Sequence, residues 1–229
     1  MAALSMLKSN IVEVKQRIAK AAEKKGVNAG DITLVAVTKT IPLDVIKSAW
    51  ELGISDFGEN KVQEGIPKIQ SLPSSISWHF IGHLQTNKAK FVVPDFKLVQ
   101  SLDRTKLAQE LQKEGEKQGK IVNALLQVNA AREKTKSGFY LEEVEEVLHF
   151  LSSFSHVKIQ GLMTIAPYEP DPEKVRPYFR ELFQLFSGIN VPGVEMRHLS
   201  MGMTNDFEIA IEEGSNMVRV GTAIFGERE

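Results

Sequence analysis

The chain has 229 residues, 42% of them hydrophobic and 25% charged, which excludes a disordered or fibrous protein. Because 28 Lys and Arg residues nearly balance 29 Asp and Glu residues, no net positive field draws the chain to nucleic acid or anionic lipid. The absence of cysteine excludes disulfides, thiolate metal ligands and a cysteine nucleophile. No run approaches the roughly 18 apolar residues of a membrane span, and residues 1–25 mix charges throughout, so the sequence predicts a cytosolic protein with no membrane partner.

The first predicted element is an amphipathic helix from Leu4 to Lys25, which ends at Gly26. Its apolar residues recur at the spacing of one helical face: Leu7, Ile11, Val14, Ile18 and Ala22. We expect this face to cover the outer wall of the domain, not to form a dimer, and we predict a monomer.

Eight apolar runs with the character of β-strands follow the helix. They begin near Ile32, Ile54, Ile76, Phe96, Ile121, Val157, Glu195 and Asn216. Helical periodicity lies between several of them, over residues 43–52, 103–119, 141–151 and 175–186. Strands that alternate with helices predict parallel βαβ units. Since no segment has the composition of a linker, we predict a single domain over residues 1–229.

Two arrangements of these units are open to an α/β protein: a closed barrel and a doubly wound open sheet. The first strand-to-helix turn, TKTIP at residues 38–42, lacks the glycines of a dinucleotide-binding turn and so disfavours the open sheet. The predicted fold is therefore a (β/α)8 TIM barrel with an extra N-terminal helix. Its chemistry is expected at the C-terminal ends of the strands.

Lys39 follows directly on the first apolar run, ITLVAVT, and is the most informative single residue. One interpretation is a lysine whose aliphatic stem lies along the strand end while its amine stays in water. The other is a partly buried amine that attacks an aldehyde and forms a Schiff base. The local sequence leaves both interpretations open.

Small and hydroxyl residues follow the last two predicted strands, in LSMGMTND (199–206) and MVRVGT (217–222). TIM barrels build phosphate sites from the loops after strands 7 and 8, where backbone N–H groups at helix starts hold the anion. A simpler interpretation is a helix cap at Thr204 or Asp206 after a turn glycine at Gly202, which explains one loop but not both. The five histidines show no spacing typical of metal ligands, so no metal site is predicted.

Six stretches, in order, make the chain resemble a known family. They are LVAVTK (34–39), FGENKVQE (57–64), WHFIGHLQTNK (78–88), GLMTI (161–165), HLSMGMTNDF (198–207) and MVRVGTAIFG (217–226). The chain resembles the pyridoxal phosphate homeostasis family of small barrel proteins, which is related to the N-terminal domain of alanine racemase. The resemblance covers residues 32–226 and implies pyridoxal 5'-phosphate as the cofactor.

The resemblance also implies a set of cofactor-binding residues: Lys39, Asn60, His79, Met201, Gly202, Met203, Thr204, Arg219, Gly221 and Thr222. In this set Lys39 forms the Schiff base, and Arg219 faces the pyridine nitrogen. The loops around Thr204 and Gly221 hold the phosphate, while Asn60 and His79 lie near the ring. Thr204 replaces a serine found in many members, and His83 replaces a proline, and neither change removes a cofactor contact.

Arg219 limits the chemistry that such a site supports. Enzymes that use the cofactor as a full electron sink place a carboxylate against the ring nitrogen. Arginine stays charged and only donates, so it leaves that nitrogen unprotonated. Racemisation is less demanding, but it needs a second acid or base on the opposite face of the substrate carbon. No motif marks Tyr140, Tyr168 or Tyr178 as that group.

Three functions are consistent with these residues. The first is a protein without catalytic residues that holds pyridoxal 5'-phosphate and delivers it to apo-enzymes, in intracellular vitamin B6 homeostasis. The second is an amino-acid racemase of narrow range, and the third is a barrel that binds another phosphate ester, with Lys39 as an ion partner. For the first, we expect an open mouth with a mobile rim at residues 133–138, where Lys136 meets the cofactor in transit.

Overall fold

A computed structural model describes residues 2–227, which form nine α-helices and eight β-strands. The helices are α1 (Ala2–Lys25), α2 (Leu43–Glu51), α3 (Val62–Ser71), α4 (Ala89–Val92), α5 (Thr105–Gln118), α6 (Val144–Ser152), α7 (Arg176–Gly188), α8 (Phe207–Glu212) and α9 (Thr222–Phe225). The strands are β1 (Thr33–Val37), β2 (Asp56–Glu59), β3 (Ser77–Phe80), β4 (Leu98–Leu102), β5 (Val122–Val128), β6 (Val157–Thr164), β7 (His198–Ser200) and β8 (Met217–Val220).

Each strand pairs in parallel with the next, and β8 pairs with β1, so the sheet closes into a barrel in chain order. The predicted (β/α)8 TIM barrel with an additional N-terminal helix is confirmed. Most of the predicted strands are shorter than expected; the run from Phe96, for example, becomes a strand only at Leu98, and the run from Glu195 only at His198. The register places Arg219 of β8 opposite Val35 of β1, at the same level of the barrel.

The barrel interior combines an apolar cluster with a group of polar side chains. The apolar cluster is formed by Val35, Leu98, Leu125, Met163 and Met217. Polar residues buried at inward positions of the strands include His79, Gln100, Ser200 and Arg219. Barrel interiors of this type are usually filled by bulky branched side chains, so these polar residues need partners inside.

Helix α1 covers the barrel wall on the side of α8 and α9. Its predicted apolar face is buried in one cluster with Phe207, Ile211 and Ile224, which confirms the expected packing. Arg17 forms an ion pair with Glu208 at 2.7 Å, and the Asn10 side-chain amide donates to the Ile224 carbonyl at 3.0 Å. The N-terminal helix is therefore attached to the two short helices that follow β7 and β8.

Over residues 2–227, no helix has both the length and the apolar character needed to cross a lipid bilayer.

Candidate ligand-binding site at the barrel mouth

A cavity of about 270 Å³, here called the mouth cavity, opens at the C-terminal ends of the strands. It is lined by Val37, Lys39, Asn60, Ile81, Ile165, Met203, Thr204, Asn205, Arg219, Gly221 and Thr222. A second cavity of about 290 Å³ shares Asn60, Ile81 and Ile165 with it and also contains His83 and Lys136. The two cavities therefore adjoin, and the predicted lysine and arginine lie in the first of them.

Lys39 is exposed, but the backbone beside it is fixed by a buried ion pair outside the barrel. Glu59 is fully buried, and its Oε1 accepts a hydrogen bond from Lys68 Nζ at 2.6 Å. The same ammonium group donates to the carbonyl of Thr38 at 2.7 Å, and the Thr38 hydroxyl donates to Glu59 Oε1 at 2.6 Å. The residue before Lys39 is thus held through both its side chain and its carbonyl.

The chain turns sharply just after Lys39. Thr40 has a φ of 64°, in the left-handed region that a β-branched residue rarely adopts. Its N–H donates to Glu64 Oε2 at 3.1 Å, and this hydrogen bond lowers the pKa of the Glu64 carboxyl more than burial raises it. Of the two interpretations of Lys39, the structure contradicts the partial burial assumed in the second, because β1 ends at Val37 and leaves the lysine exposed in the following loop. The Schiff base itself stays a prediction.

Arg219 is held in the opposite way, by its side chain. It is 4% exposed, its Nη2 donates to the carbonyl of Thr164 at 2.7 Å, and its Nη1 donates to the Ser200 hydroxyl. Burial lowers the pKa of its guanidinium to about 10, against the opposing charge of Asp206, so it stays protonated at neutral pH. No carboxylate of residues 2–227 lies within ion-pair distance of it.

The loops after β7 and β8 meet at Thr204. The Gly221 N–H points to the Thr204 hydroxyl oxygen at 3.4 Å, and the Met203 N–H donates to Asp206 Oδ1 at 2.6 Å. Burial raises the pKa of Asp206, although the Met203 N–H opposes this shift. Since α8 has six residues and α9 only four, their dipoles are small, and any anion here depends mainly on hydroxyl and N–H donors.

Gly202 and Met201 shape this loop from outside the mouth cavity. Gly202 has a φ of 94°, and a Cβ there would lie 2.6 Å from the Cβ of Ala210. Its carbonyl accepts the backbone N–H of Arg219 at 3.0 Å, which joins this loop to β8. Met201 is fully buried in the main apolar core. Both residues therefore support the loop and do not line the mouth cavity.

Asn60 is held against the loop that follows β3. A Cβ at Gly82 would lie 2.2 Å from the Asn60 carbonyl oxygen, so only glycine permits this approach. The Asn60 side-chain Oδ1 is buried and has no hydrogen-bond partner among the described residues. A buried acceptor without a donor costs about 1 to 3 kcal/mol, and a ligand in the mouth cavity could supply the donor.

His79 lies inside the barrel and not at the mouth cavity, contrary to the expected position beside a cofactor ring. Its Nδ1 is 2.9 Å from Gln100 Nε2, and its Nε2 is 3.0 Å from Asp56 Oδ1. The strand register explains this position. His79 pairs with Gly58, one residue before β2 ends at Glu59, and therefore lies below the barrel mouth. Sequence reasoning missed Gln100 and Asp56, although Gln100 is a long polar residue at the centre of the strand run LVQSL.

Residues 2–227 contain no group of three or more His, Asp or Glu side chains placed to bind a metal ion.

Comparisons with known proteins agree in the family to which they assign the chain. Residues 3–229 match the family model of the alanine racemase N-terminal domain. A pyridoxal phosphate homeostasis protein of Aquifex aeolicus is 44% identical over 218 residues, which are 94% of this chain and 96% of that protein.

Two solved structures resemble the whole fold. One, described as an unknown protein from Bifidobacterium adolescentis, has a TM-score of 0.93 and 34% identity and covers 98% of this chain and 96% of its own. The other, PipY of Synechococcus elongatus with pyridoxal phosphate bound, has a TM-score of 0.77 and 32% identity and covers 91% of this chain and 100% of its own. The chain therefore belongs to the alanine racemase N-terminal domain family, among the pyridoxal phosphate homeostasis proteins.

Proposed function

We propose that this protein binds pyridoxal 5'-phosphate in the mouth cavity, with Lys39 as its covalent attachment point, and that it serves cofactor homeostasis without catalysis. The observation that carries the proposal is one pair of side chains. An exposed primary amine, Lys39, and a buried guanidinium without a carboxylate partner, Arg219, line the same cavity. The names of the curated relatives and the ligand bound to PipY support the same assignment.

The residues of the mouth cavity fit this cofactor at each of its ends. When bound, pyridoxal phosphate supplies an aldehyde that condenses with a primary amine and releases one water. Lys39 provides the amine, and the backbone contacts of Thr38 and Thr40 keep its Cα in place. The Asn60 acceptor without a partner lies in the same lining and could receive a hydrogen bond from the ligand.

Arg219 would donate to the ring nitrogen, and because its pKa stays near 10 it does not surrender a proton at neutral pH. The Thr204 hydroxyl and the N–H groups of Gly221 and Thr222 would hold the phosphate. This arrangement keeps the ring nitrogen unprotonated, which disfavours reactions that need the ring as a full electron sink.

A lack of catalysis is supported by what lines the mouth cavity. Among the described residues of its lining, Lys39 and Arg219 are the only ionisable side chains. Racemisation needs a second acid or base facing the substrate carbon from the other side. Tyr168, one candidate for that group, is 81% exposed and lines a different cavity.

The covalent proposal is tested by hydride trapping. Purified protein is mixed with pyridoxal 5'-phosphate, reduced with borohydride and mapped by peptide mass spectrometry. We expect one added pyridoxyl phosphate mass on the peptide that contains Lys39, and none after Lys39→Ala. Lys136→Ala, which removes a lysine from the adjoining cavity, is the matched control and should keep the adduct. An unmodified Lys39 peptide in the parent would instead favour a barrel that binds another phosphate ester.

The family model and the Arg219 arrangement support the racemase alternative, and a separate experiment addresses it. The loaded protein is incubated with each L-amino acid, and the D-enantiomer is measured by chiral chromatography. We expect no D-amino acid above the level formed by free cofactor. Formation of one enantiomer that depends on Lys39 would overturn the non-catalytic assignment.

We also propose that the cofactor leaves through the open mouth to reach apo-enzymes. Lys136 lies on this route: its Nζ pairs with Glu133 and donates to the Ala166 carbonyl at 3.2 Å. Loaded protein should reactivate a pyridoxal phosphate-dependent apo-enzyme, and Lys136→Ala should slow this reactivation. An unchanged rate would remove Lys136 from the proposal, and borohydride-reduced protein, which should give no reactivation, is the control.

A further inference from the structure

A continuous series of hydrogen bonds runs through the barrel interior from the mouth cavity to the opposite side. Arg219 Nη1 donates to Ser200 Oγ, and Ser200 Oγ donates to Gln100 Oε1 at 2.6 Å. Gln100 Nε2 lies 2.9 Å from His79 Nδ1, and His79 Nε2 lies 3.0 Å from Asp56 Oδ1. These five side chains, here called the interior relay, come from β8, β7, β4, β3 and β2.

The direction of every hydrogen bond in the interior relay follows from its two ends. Arg219 has only donors, so Ser200 must accept from it and must donate its own proton onward to Gln100. The Gln100 carbonyl is then occupied, and its amide nitrogen faces His79 Nδ1, which must accept. The remaining ring proton therefore lies on Nε2 and points to the Asp56 carboxylate, which only accepts.

The interior relay is buried over most of its length. Ser200 and Gln100 are fully buried, His79 is 2% exposed and Arg219 is 4% exposed. At the far end, burial raises the pKa of Asp56, but hydrogen bonds from His79 and Ser55 together with the nearby positive charges, including that of Lys97, leave that pKa lowered. The interior relay therefore connects a buried cation to a carboxylate through three neutral groups.

The interior relay stabilises the buried Arg219 guanidinium in place of a direct ion pair. A buried guanidinium is costly unless it is paired, yet no described carboxylate pairs with it directly. The Ser200 hydroxyl is a better acceptor when its own proton is donated onward, because hydrogen bonds in series polarise one another. The side chain is fixed between Ser200 and Thr164, and its remaining N–H groups are left for the mouth cavity.

We propose that Ser200, Gln100, His79 and Asp56 are positioning residues that fix the Arg219 guanidinium for its hydrogen bond to the ligand's ring nitrogen. This inference rests on the proposed function in one respect, that the ligand of the mouth cavity is pyridoxal 5'-phosphate. None of the four lines that cavity, so they act on the ligand only through Arg219.

The first test needs no ligand. In protein labelled with ¹⁵N on histidine side chains, His79 should show at pH 8 an unprotonated Nδ1 and a protonated Nε2. A proton on Nδ1 would overturn the inference, because Gln100 Nε2 could not then donate to it. This measurement separates the two proposals: if the protein fails to bind pyridoxal 5'-phosphate, the proposed function fails while the interior relay is still tested.

The second test cuts the interior relay in its middle. Gln100→Met keeps the side-chain length but removes both the acceptor for Ser200 and the donor to His79. We expect the Kd for pyridoxal 5'-phosphate to rise about three- to tenfold, the effect of one hydrogen bond. With ¹⁵N-labelled cofactor, the ring-nitrogen signal should also shift toward the protonated form, a change that a purely structural role would not cause.

Gln160→Met is the matched control. Gln160 is half-buried on β6, and its amide donates to Asn123 Oδ1 at 3.0 Å, away from both the interior relay and the mouth cavity. Its Kd and ring-nitrogen signal should equal those of the parent. Parent values in Gln100→Met as well would overturn the inference.

A third variant covers the case in which Gln100→Met does not fold. Ser200→Ala removes the hydroxyl next to Arg219 and should weaken binding about tenfold, the loss of one hydrogen bond to a charged group. Asp56→Asn, at the far end, should have the smallest effect of the three. Equal binding in Ser200→Ala and the parent would contradict the inference.

Discussion

The two cations of the mouth cavity are held in opposite ways. Lys39 has a free side chain on a fixed backbone, because the Glu59–Lys68 pair outside the barrel holds the carbonyl of Thr38. Arg219 has a fixed side chain, because Ser200 and Thr164 inside the barrel bind its guanidinium. The position of Lys39 is thus set by contacts outside the barrel, and the direction of the Arg219 guanidinium by contacts inside it.

The difference matches the proposed work of each residue. An amine that forms and releases a covalent bond needs a mobile side chain with a defined starting position. A permanent hydrogen-bond donor needs a defined direction, and this requires contacts on the group itself. Changes to the outer pair should therefore affect the stability of the Lys39 loop, and changes to the interior relay should affect the environment of Arg219.

The largest effect on stability is expected from breaking the outer pair. Lys68→Met leaves the fully buried Glu59 carboxylate without its cation, and we expect a loss of about 3 to 5 kcal/mol in the free energy of unfolding. Urea unfolding measures the change. In the matched control, Glu59→Gln combined with Lys68→Met, most of the loss should disappear because no buried charge remains. A loss below about 1 kcal/mol in the single variant would show that water reaches Glu59.

A smaller effect is expected at the far end of the interior relay. Because the folded-state pKa of Asp56 is lowered below its ordinary value of 3.8, its stabilising contribution is complete above that value and is lost as the pH falls through the lowered pKa. The parent should therefore be more stable than Asp56→Asn at pH 6, and this advantage should shrink in acid. Thermal unfolding from pH 6 downward checks it, with the exposed Asp31→Asn as the charge-matched control. An advantage that grows in acid would reverse the assignment.

The turn after Lys39 offers a prediction of opposite sign. Thr40 occupies the left-handed region at a cost of about 1 to 2 kcal/mol, which Thr40→Gly relieves in part while adding freedom to the unfolded chain. We expect a net stabilisation of up to about 1 kcal/mol. Thr135→Gly, at an exposed loop residue without positive φ, should instead destabilise. Equal losses in both variants would mean that Thr40 is not strained.

The smallest change in stability should follow the removal of Lys39 itself. Because its side chain is exposed, Lys39→Ala should alter the free energy of unfolding by less than about 0.5 kcal/mol. Denaturant unfolding without ligand measures this. A larger loss would show that the lysine, and not only its backbone, contributes to the fold.

The fold was largely predictable, because a (β/α)8 barrel depends on the alternation of apolar strand runs with helical segments, and this alternation is visible in the sequence. Apolar runs recur eight times, and the small or hydroxyl residues around Thr204 and Gly221 follow the last two of them. Helix α3 was missed because it contains Pro67, and proline is uncommon within helices.

The interior relay and the outer pair were not predictable, for a physical reason. Ser200 and Gln100 are 100 residues apart in sequence, and their contact depends on which face of each strand points inward. A register shift of one residue exchanges the two faces of a strand. The misplacement of His79 follows from the same cause. Likewise, Lys39 is exposed because β1 ends at Val37, two residues before it. The pattern of apolar residues does not predict a strand end to within two residues.

The packing of α1 has a consequence for how the protein could be handled or controlled from its N-terminus. Its ion pairs with Glu208 and Glu212 and the Asn10 hydrogen bond to Ile224 attach it to α8 and α9, which begin directly after the loops that follow β7 and β8. A fusion tag, a binding protein or a protease that displaced this helix would remove contacts that hold α8 and α9, and with them the loops that precede these two helices. Residues 2–25, remote in sequence from the proposed ligand contacts, would thus couple the N-terminal helix to the loops of the proposed phosphate site.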